Sequence, residues 1–353
     1  MSSGKASMDV IAKKLGVSKN TVSLAFRGMP GISDQTRKLI MDTARQYGYE
    51  YKKKALQLSD SGIASGNICL VLSKSLLKVT GFYSMIQFGI ENEAKKHNQN
   101  ILLHYYDNTS NEFEVPLSIK QGMVSGIITL GPITRHTLKS ISGLGLPFVV
   151  IDEYFDDYKL DYILTDNVNG GFAATEYLIR CGHKKIGFSG DIHCASSFYD
   201  RYLGFLKAME IYNLPVDSSF VLTDRSLCHL DTSHFELAAE EFKCIDHLPT
   251  AFFCCNDPES FALYKALASA GLNVPEDVSI MGFDDIDTSR DVSPQLTTMH
   301  VEKEFMGKRA VKRLLEIMKN AGGLTEKIVL PSHLVERQSV RKIRPFSNNA
   351  SSN

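Results

Sequence analysis

Two groups of residues carry side chains suited to recognising something specific. The first is the run Ser18-Lys19-Asn20-Thr21-Val22-Ser23-Leu24. An asparagine carboxamide can pair bidentately with adenine, a lysine with guanine or phosphate, and a leucine can pack on a thymine methyl. The second group is dispersed. Asp152 follows an apolar run ending at Ile151, Asn256-Asp257 follow Phe253-Cys254-Cys255, and Asp284-Asp285 follow Met281-Gly282-Phe283. Arg201 opens the helix-like stretch 201–209. Carboxylates and a guanidinium converging on a cleft suit vicinal hydroxyls, because each can hold two of them in a fork. An Asp after a strand is often a helix cap. Asp257 and Asp285 are therefore read as structural, and Arg201 and Asp284 as ligand contacts.

Catalytic signatures are missing from the sequence. It has no Walker A loop, no G-x-G-x-x-G and no G-x-S-x-G, and Gly187-Phe188-Ser189-Gly190 is one residue short of a nucleophile elbow. Seven cysteines include no C-x-x-C pair, and Cys69, Cys181, Cys254 and Cys255 read as buried small hydrophobes. His229 and His234 share a loop-like stretch without a third and fourth ligand nearby. The expectation is a protein that is not an enzyme and has no metal and no cofactor.

Three short helices position the first group. Met8, Ile11, Ala12 and Leu15 form a helical stripe, and Gly16 breaks it, since a left-handed turn costs least at glycine. Ser18 is a suitable N-cap for a second helix running to about Arg27, whose apolar face is Val22, Ala25 and Phe26. Gly28, Pro30 and Gly31 end it, and Ser33 caps a third helix that closes near Tyr47-Gly48. Two helices joined by a tight glycine turn match the DNA-reading helix-turn-helix. The apolar face leaves Lys19, Asn20, Ser23 and Leu24 outward, and Ser18, Thr21 and Arg27 complete the candidate DNA contacts.

The body, 67–341, alternates β-rich runs with helical segments. Strands are predicted at 68–72, 101–105, 126–130, 147–151, 185–189, 251–255 and 278–283, and an amphipathic helix at 82–98. Such alternation implies parallel sheets with helices on both faces, which bind ligands beyond the carboxyl ends of strands. Between head and body, 51–66 holds Lys52-Lys53-Lys54 and then a Ser/Gly-rich tether. The polar stretch 342–353 reads as a disordered tail without a leucine heptad.

Charge is divided unevenly. Residues 1–60 hold 11 Lys/Arg against 5 Asp/Glu, and the remainder 28 against 35. A basic head on an acidic body points to a polyanion touched by the head alone. No apolar run approaches the ~20 residues of a membrane span. The N-terminus lacks an apolar signal core, so a cytoplasmic protein without membrane contact is expected.

The segment 11–24, continued by Gly28, Ile32-Ser33, Thr36-Arg37 and Tyr47-Gly48-Tyr49, resembles the signature of the lactose-repressor (LacI-type) family. Val10 stands beside Asp9 where the family often has Asp, and Leu24 where many relatives carry Arg. Further matches are Asp166-Asn167 with Gly170-Gly171, Gly182-His183-Lys184-Lys185-Ile186, 274–279, Gly282-Phe283-Asp284-Asp285, Leu296-Thr297-Thr298 and Val335-Glu336-Arg337. The resemblance spans nearly the whole chain. It implies an α/β protein: a three-helix helix-turn-helix head, 1–50, on a periplasmic-binding-protein-like (type I) sensor with parallel sheets. Two subdomains are implied, about 67–165 with 295–324 and about 166–290 with 325–341. In 51–66 it implies a hinge helix with Leu58 as a wedge in the minor groove, while the basic run itself places Lys53 near the DNA backbone. Arg201, Asn256 and Asp284 match family effector contacts, and Asp152, Phe82 and Tyr83 match more loosely, the two aromatics being equally readable as core. The implied partners are operator DNA, a second copy forming a homodimer and a small sugar-like effector, a sugar or sugar phosphate. A purine or phosphocarrier corepressor and a stand-alone sugar-binding protein are the alternatives.

Overall fold

The computed structural model describes residues 7–26, 32–47, 49, 66–78, 81–107, 113–224, 227, 248–320 and 323–343. The chain divides into two compact units, residues 1–65 with 117–123, and residues 66–116 with 124–353.

In the first unit, α1 (Met8–Leu15), α2 (Lys19–Phe26) and α3 (Asp34–Gln46) follow the predicted order. Each start is made by a serine. Ser7 Oγ accepts from the Val10 amide, Ser18 Oγ from Thr21 at 3.0 Å, and Ser33 Oγ from Thr36 at 3.1 Å. Gly16 closes α1 in the left-handed region, φ 66°, with its amide on Ala12. Ile11, Ala12, Val22, Ala25, Ile40 and Ala44 form the small core. Arg37 Nη1 donates to the Ala25 carbonyl at 3.2 Å, so a cation serves the C-terminal turn of α2. The short helix α5, Leu117–Lys120, belongs to the same unit.

The second unit has two lobes. Lobe A is a six-stranded parallel sheet of β1 (Gly66–Ser73), β2 (Gln99–Tyr106), β3 (Gly126–Leu130), β4 (Phe148–Ile151), β5 (Asp161–Thr165) and β11 (Lys327–Leu330). Its strand order is β11-β5-β4-β3-β1-β2. Strands β3 and β5 are buried at every position, as strands covered on both faces are. Helices α4 (Phe82–Lys96), α6 (Arg135–Ser142) and α10 (Lys303–Lys319) belong to this lobe. Lobe B is the parallel sheet β7-β6-β8-β9, made of β6 (Ile186–Ser189), β7 (Val221–Leu222), β8 (Ala251–Cys254) and β9 (Ser279–Met281). It carries α7 (Asn167–Arg180), α8 (Ser196–Ile211) and α9 (Asp257–Ser269).

The chain passes between the lobes after β5, along β10 (Thr298–Val301) and from β11 to β12 (Ser332–Val335). Strands β10 and β12 pair antiparallel. From sequence, 325–341 groups with the second subdomain. In the structure, β11 instead pairs with β5 in lobe A, and only the chain beyond returns to lobe B, where the Ile280 amide donates to Ser339. The cause is non-local, since four short residues find their edge partner 165 positions upstream. Cys69, Cys181, Cys254 and Cys255 are buried as free thiols. Among the described residues no helix is long and apolar enough to cross a membrane.

Candidate functional site

In the head, Ser18 lies at the start of α2 with its hydroxyl engaged by the Thr21 amide and by Thr21 Oγ1 at 2.8 Å. Lys19 is exposed and Thr21 half-buried. Asn20, Ser23 and Leu24 are positions of α2, whose core side is Val22 and Ala25. The side chains of Asn20, Ser23 and Leu24, and Arg27, Lys53 and Leu58 altogether, lie outside the described residues. An exposed helix N-terminus beside a lysine offers amides and positive charge to a phosphate.

In the second unit, strand ends bring together the residues singled out from sequence. Arg201 is 1% exposed although it is a guanidinium. Its Nε donates to Asn167 Oδ1 at 2.9 Å and its Nη1 to the Cys255 carbonyl at 2.6 Å. Nη2 lies 3.1 Å from Asp284 Oδ1. Its plane sits over the Phe283 ring at 3.8 Å. The first turns of α7 fix this placement from behind. A Cβ at Gly171 would fall on the Arg201 carbonyl oxygen, and one at Gly204 on that of Val168. The two glycines let α7 and α8 touch backbone to backbone.

Asp152 and Asp284 end strand runs in unusual backbone. Their φ angles are 64° and 116°, conformations that cost about 1–3 kcal/mol each in non-glycine residues and gather at binding sites. Both carboxylates are nearly buried, at 4% and 5% exposure. Asp152 Oδ2 accepts from the Tyr83 hydroxyl at 3.1 Å. Asp152 Oδ1 accepts no hydrogen bond among the described residues, whereas Asp284 Oδ1 has the Arg201 guanidinium beside it. Burial pushes the Asp152 carboxyl up to about 7, with Arg201 opposing and Asp284 adding to the rise. Burial likewise raises Asp284, against the pull of Arg201 and Lys303. An unmet buried acceptor costs about 1–3 kcal/mol, so Asp152 Oδ1 awaits a donor.

The other sequence candidates divide. Phe82 is buried and packs edge-on against Tyr83 at 5.0 Å, which makes it support for Tyr83. Asn256 caps α9, its Oδ1 accepting from the Glu259 amide at 2.9 Å, so only its NH2 is left for a ligand. Asp257 is structural: Thr298, Ser289 and the Ile286 amide all donate to it. Asp285 is also structural, pairing with Arg337 at 2.5 Å and His300 at 2.8 Å.

Sequence reasoning missed an adjoining cavity of about 380 Å³ between loops 132–134 and 153–155 of lobe A and 192–196 of lobe B. These loops follow β3, β4 and β6. The rule that ligands lie beyond strand ends applies to β3 and β6 as it does to β4.

These polar groups gather at a cleft between two parallel α/β lobes, beyond the carboxyl ends of their strands. With a three-helix head in the same chain, this defines a ligand-responsive DNA-binding regulator. The family model for bacterial regulatory proteins of the lacI family matches residues 7–51, and that for a periplasmic binding protein-like domain matches 175–340. An HTH-type transcriptional repressor PurR from Actinobacillus pleuropneumoniae serotype 3 (strain JL03) is 31% identical over 345 residues, covering 96% of this chain and 99% of that protein. A LacI family regulator from Enterococcus faecium, solved with bound ribose, is similar at a TM-score of 0.66 and 25% identity, covering 79% of this chain and 100% of its own. A Lac repressor dimer bound to operator and an anti-inducer shares the fold at a TM-score of 0.64 and 21% identity, covering 96% of this chain and 100% of its own. The chain belongs to the lacI family of bacterial regulatory proteins. It is a DNA-binding transcriptional repressor of the cytoplasm, not an enzyme.

Proposed function

We propose that the chain represses carbohydrate-use genes as a homodimer on an inverted-repeat operator, and that a small sugar-like effector held between the lobes releases it. The observation that carries the effector reading is the buried Asp152 carboxylate, one oxygen of which accepts no hydrogen bond among the described residues, set with Asp284 around the Arg201 guanidinium. Vicinal hydroxyls supply a donor to such an oxygen and an acceptor to such a guanidinium. The relative solved with bound ribose supports the same class. Effector contact is assigned to Tyr83, Asp152, Arg201 and Asp284, with the Asn256 NH2 in reach and Phe82 behind Tyr83.

DNA contact is assigned to Ser18, Lys19, Asn20, Thr21, Ser23, Leu24 and Arg27 on and beside α2, to Lys53 on the backbone and to Leu58 as the minor-groove wedge. One head reads one half-site, so a dimer reads an inverted repeat; the operator-bound Lac repressor is a dimer. Calorimetry of wild type, Arg201→Ala and Asp284→Ala against sugars, sugar phosphates and purines tests the site. Binding of a sugar that both variants lose supports it. Equal affinity in both variants puts the site elsewhere, and binding of a purine alone replaces the ligand class.

A further inference from the structure

Helix α8 carries Arg201, yet it begins without a cap of its own. Its N-cap position is Ala195, in extended backbone, φ −155° and ψ 149°, with no side-chain acceptor. An acceptor arrives from the other lobe: Glu153 Oε1, on the loop after β4, takes the Ser196 amide at 3.3 Å and the amide of its neighbour Tyr154 at 3.1 Å. A carboxylate at the N-terminus of a 16-residue helix is favoured by the helix dipole. The next residue makes a second bond across the cleft, the Tyr154 hydroxyl donating to Asp200 Oδ1 at 2.9 Å. Lys327 Nζ stands over the Tyr154 ring at 3.6 Å and steadies it from β11.

Three consecutive residues of lobe A therefore address one helix of lobe B. Asp152 lies within the field of Arg201, Glu153 holds the first amide of α8, and Tyr154 holds Asp200. Glu153 is 6% exposed, and a carboxylate so buried needs the donors it has. Both bonds also flank the cavity between the lobes, whose walls include 153–155 and 192–196.

We infer that Glu153 and Tyr154 form a latch that holds the two lobes closed through α8, separate from the side chains that grip the effector. The latch sets how far closure is populated before any ligand arrives. The regulatory part of this inference rests on the cleft being the effector site; the latch itself does not.

The test uses the full chain without ligand. Glu153→Ala removes the borrowed cap, and Tyr154→Phe keeps the ring while removing the hydroxyl. Hydrogen exchange over 196–199 reports the start of α8, and solution X-ray scattering reports lobe separation. Glu153→Ala is expected to speed exchange there about fivefold, the loss of a helix cap. Either variant is expected to raise the radius of gyration, and the double variant at least as much. Ala195→Ser, which gives α8 a local cap, is then expected to restore protection in the Glu153→Ala background and leave the lobes open. Scattering unchanged in both single variants overturns the latch. So does Ala195→Ser restoring closure along with protection, because Glu153 is then only a cap. Neither readout involves a sugar, so the outcome is independent of which ligand the cleft takes.

Discussion

Replacing Asp152 with asparagine is expected to stabilise the empty protein progressively as pH rises, while removing effector binding. The Asp152 carboxyl is pushed up to about 7, chiefly by burial, with Asp284 and Glu153 adding and Arg201 and Tyr83 opposing. An unfolded aspartate titrates near 4. Between those values the folded chain keeps a proton that the unfolded chain has released. The folded state binds more protons, so stability falls with rising pH by about 1.4 kcal/mol per unit. Across the window from about 4 to about 7 the loss sums to roughly 4 kcal/mol, and it levels off above. Asparagine carries no such charge. The stability of Asp152→Asn relative to wild type therefore grows through that window by up to roughly 4 kcal/mol. Asp257, also raised to about 7, is present in both proteins and cancels. Urea unfolding of both proteins at intervals from about pH 5 to about pH 8 reads the difference. A difference constant with pH refutes the reasoning, because Asp152 would then be ionised in the folded state throughout.

Other substitutions have equally specific consequences. Asn20→Ala is expected to cost about 1–3 kcal/mol of operator affinity and to relax preference at one base pair per half-site, read by binding to single-base operator variants. Leu58→Ala is expected to reduce DNA bending and specific affinity with effector binding intact, measured by gel-shift bending assays and calorimetry. Gly171→Ala adds a Cβ where the Arg201 carbonyl stands, so it is expected to cost about 1–3 kcal/mol in stability and to weaken effector binding. Operator affinity without effector should be retained, and thermal melts with calorimetry and anisotropy check all three.

Legibility from sequence followed how local each cause was. Ser7, Ser18 and Ser33 start helices with their own hydroxyls, and Gly16 turns the chain with its own φ, so head signals are contained within four residues. Strands such as β3 are apolar enough to declare themselves. Strand β5 is not: it opens on Asp161, which is buried because a distant group meets it, Arg313 binding it at 2.6 Å. The addition of β11 to lobe A has the same non-local origin. In the cleft, the position of Asp152 and Asp284 after strands made them readable. Asn256 also stands after a strand, and its oxygen goes to the amide three residues on while its NH2 stays available. The bonds of Glu153 and Tyr154 to α8 exist only once the lobes face each other, and no spacing in the chain records them.

The decisive experiment measures operator affinity by fluorescence anisotropy, with and without a saturating sugar from the panel, for wild type and Arg201→Ala side by side. The sugar is expected to change wild-type affinity about 5- to 150-fold, the usual range of coupling between two sites. Arg201→Ala is expected to bind operator like wild type and not to respond. A variant that responds to the sugar as wild type does would contradict the proposed effector site.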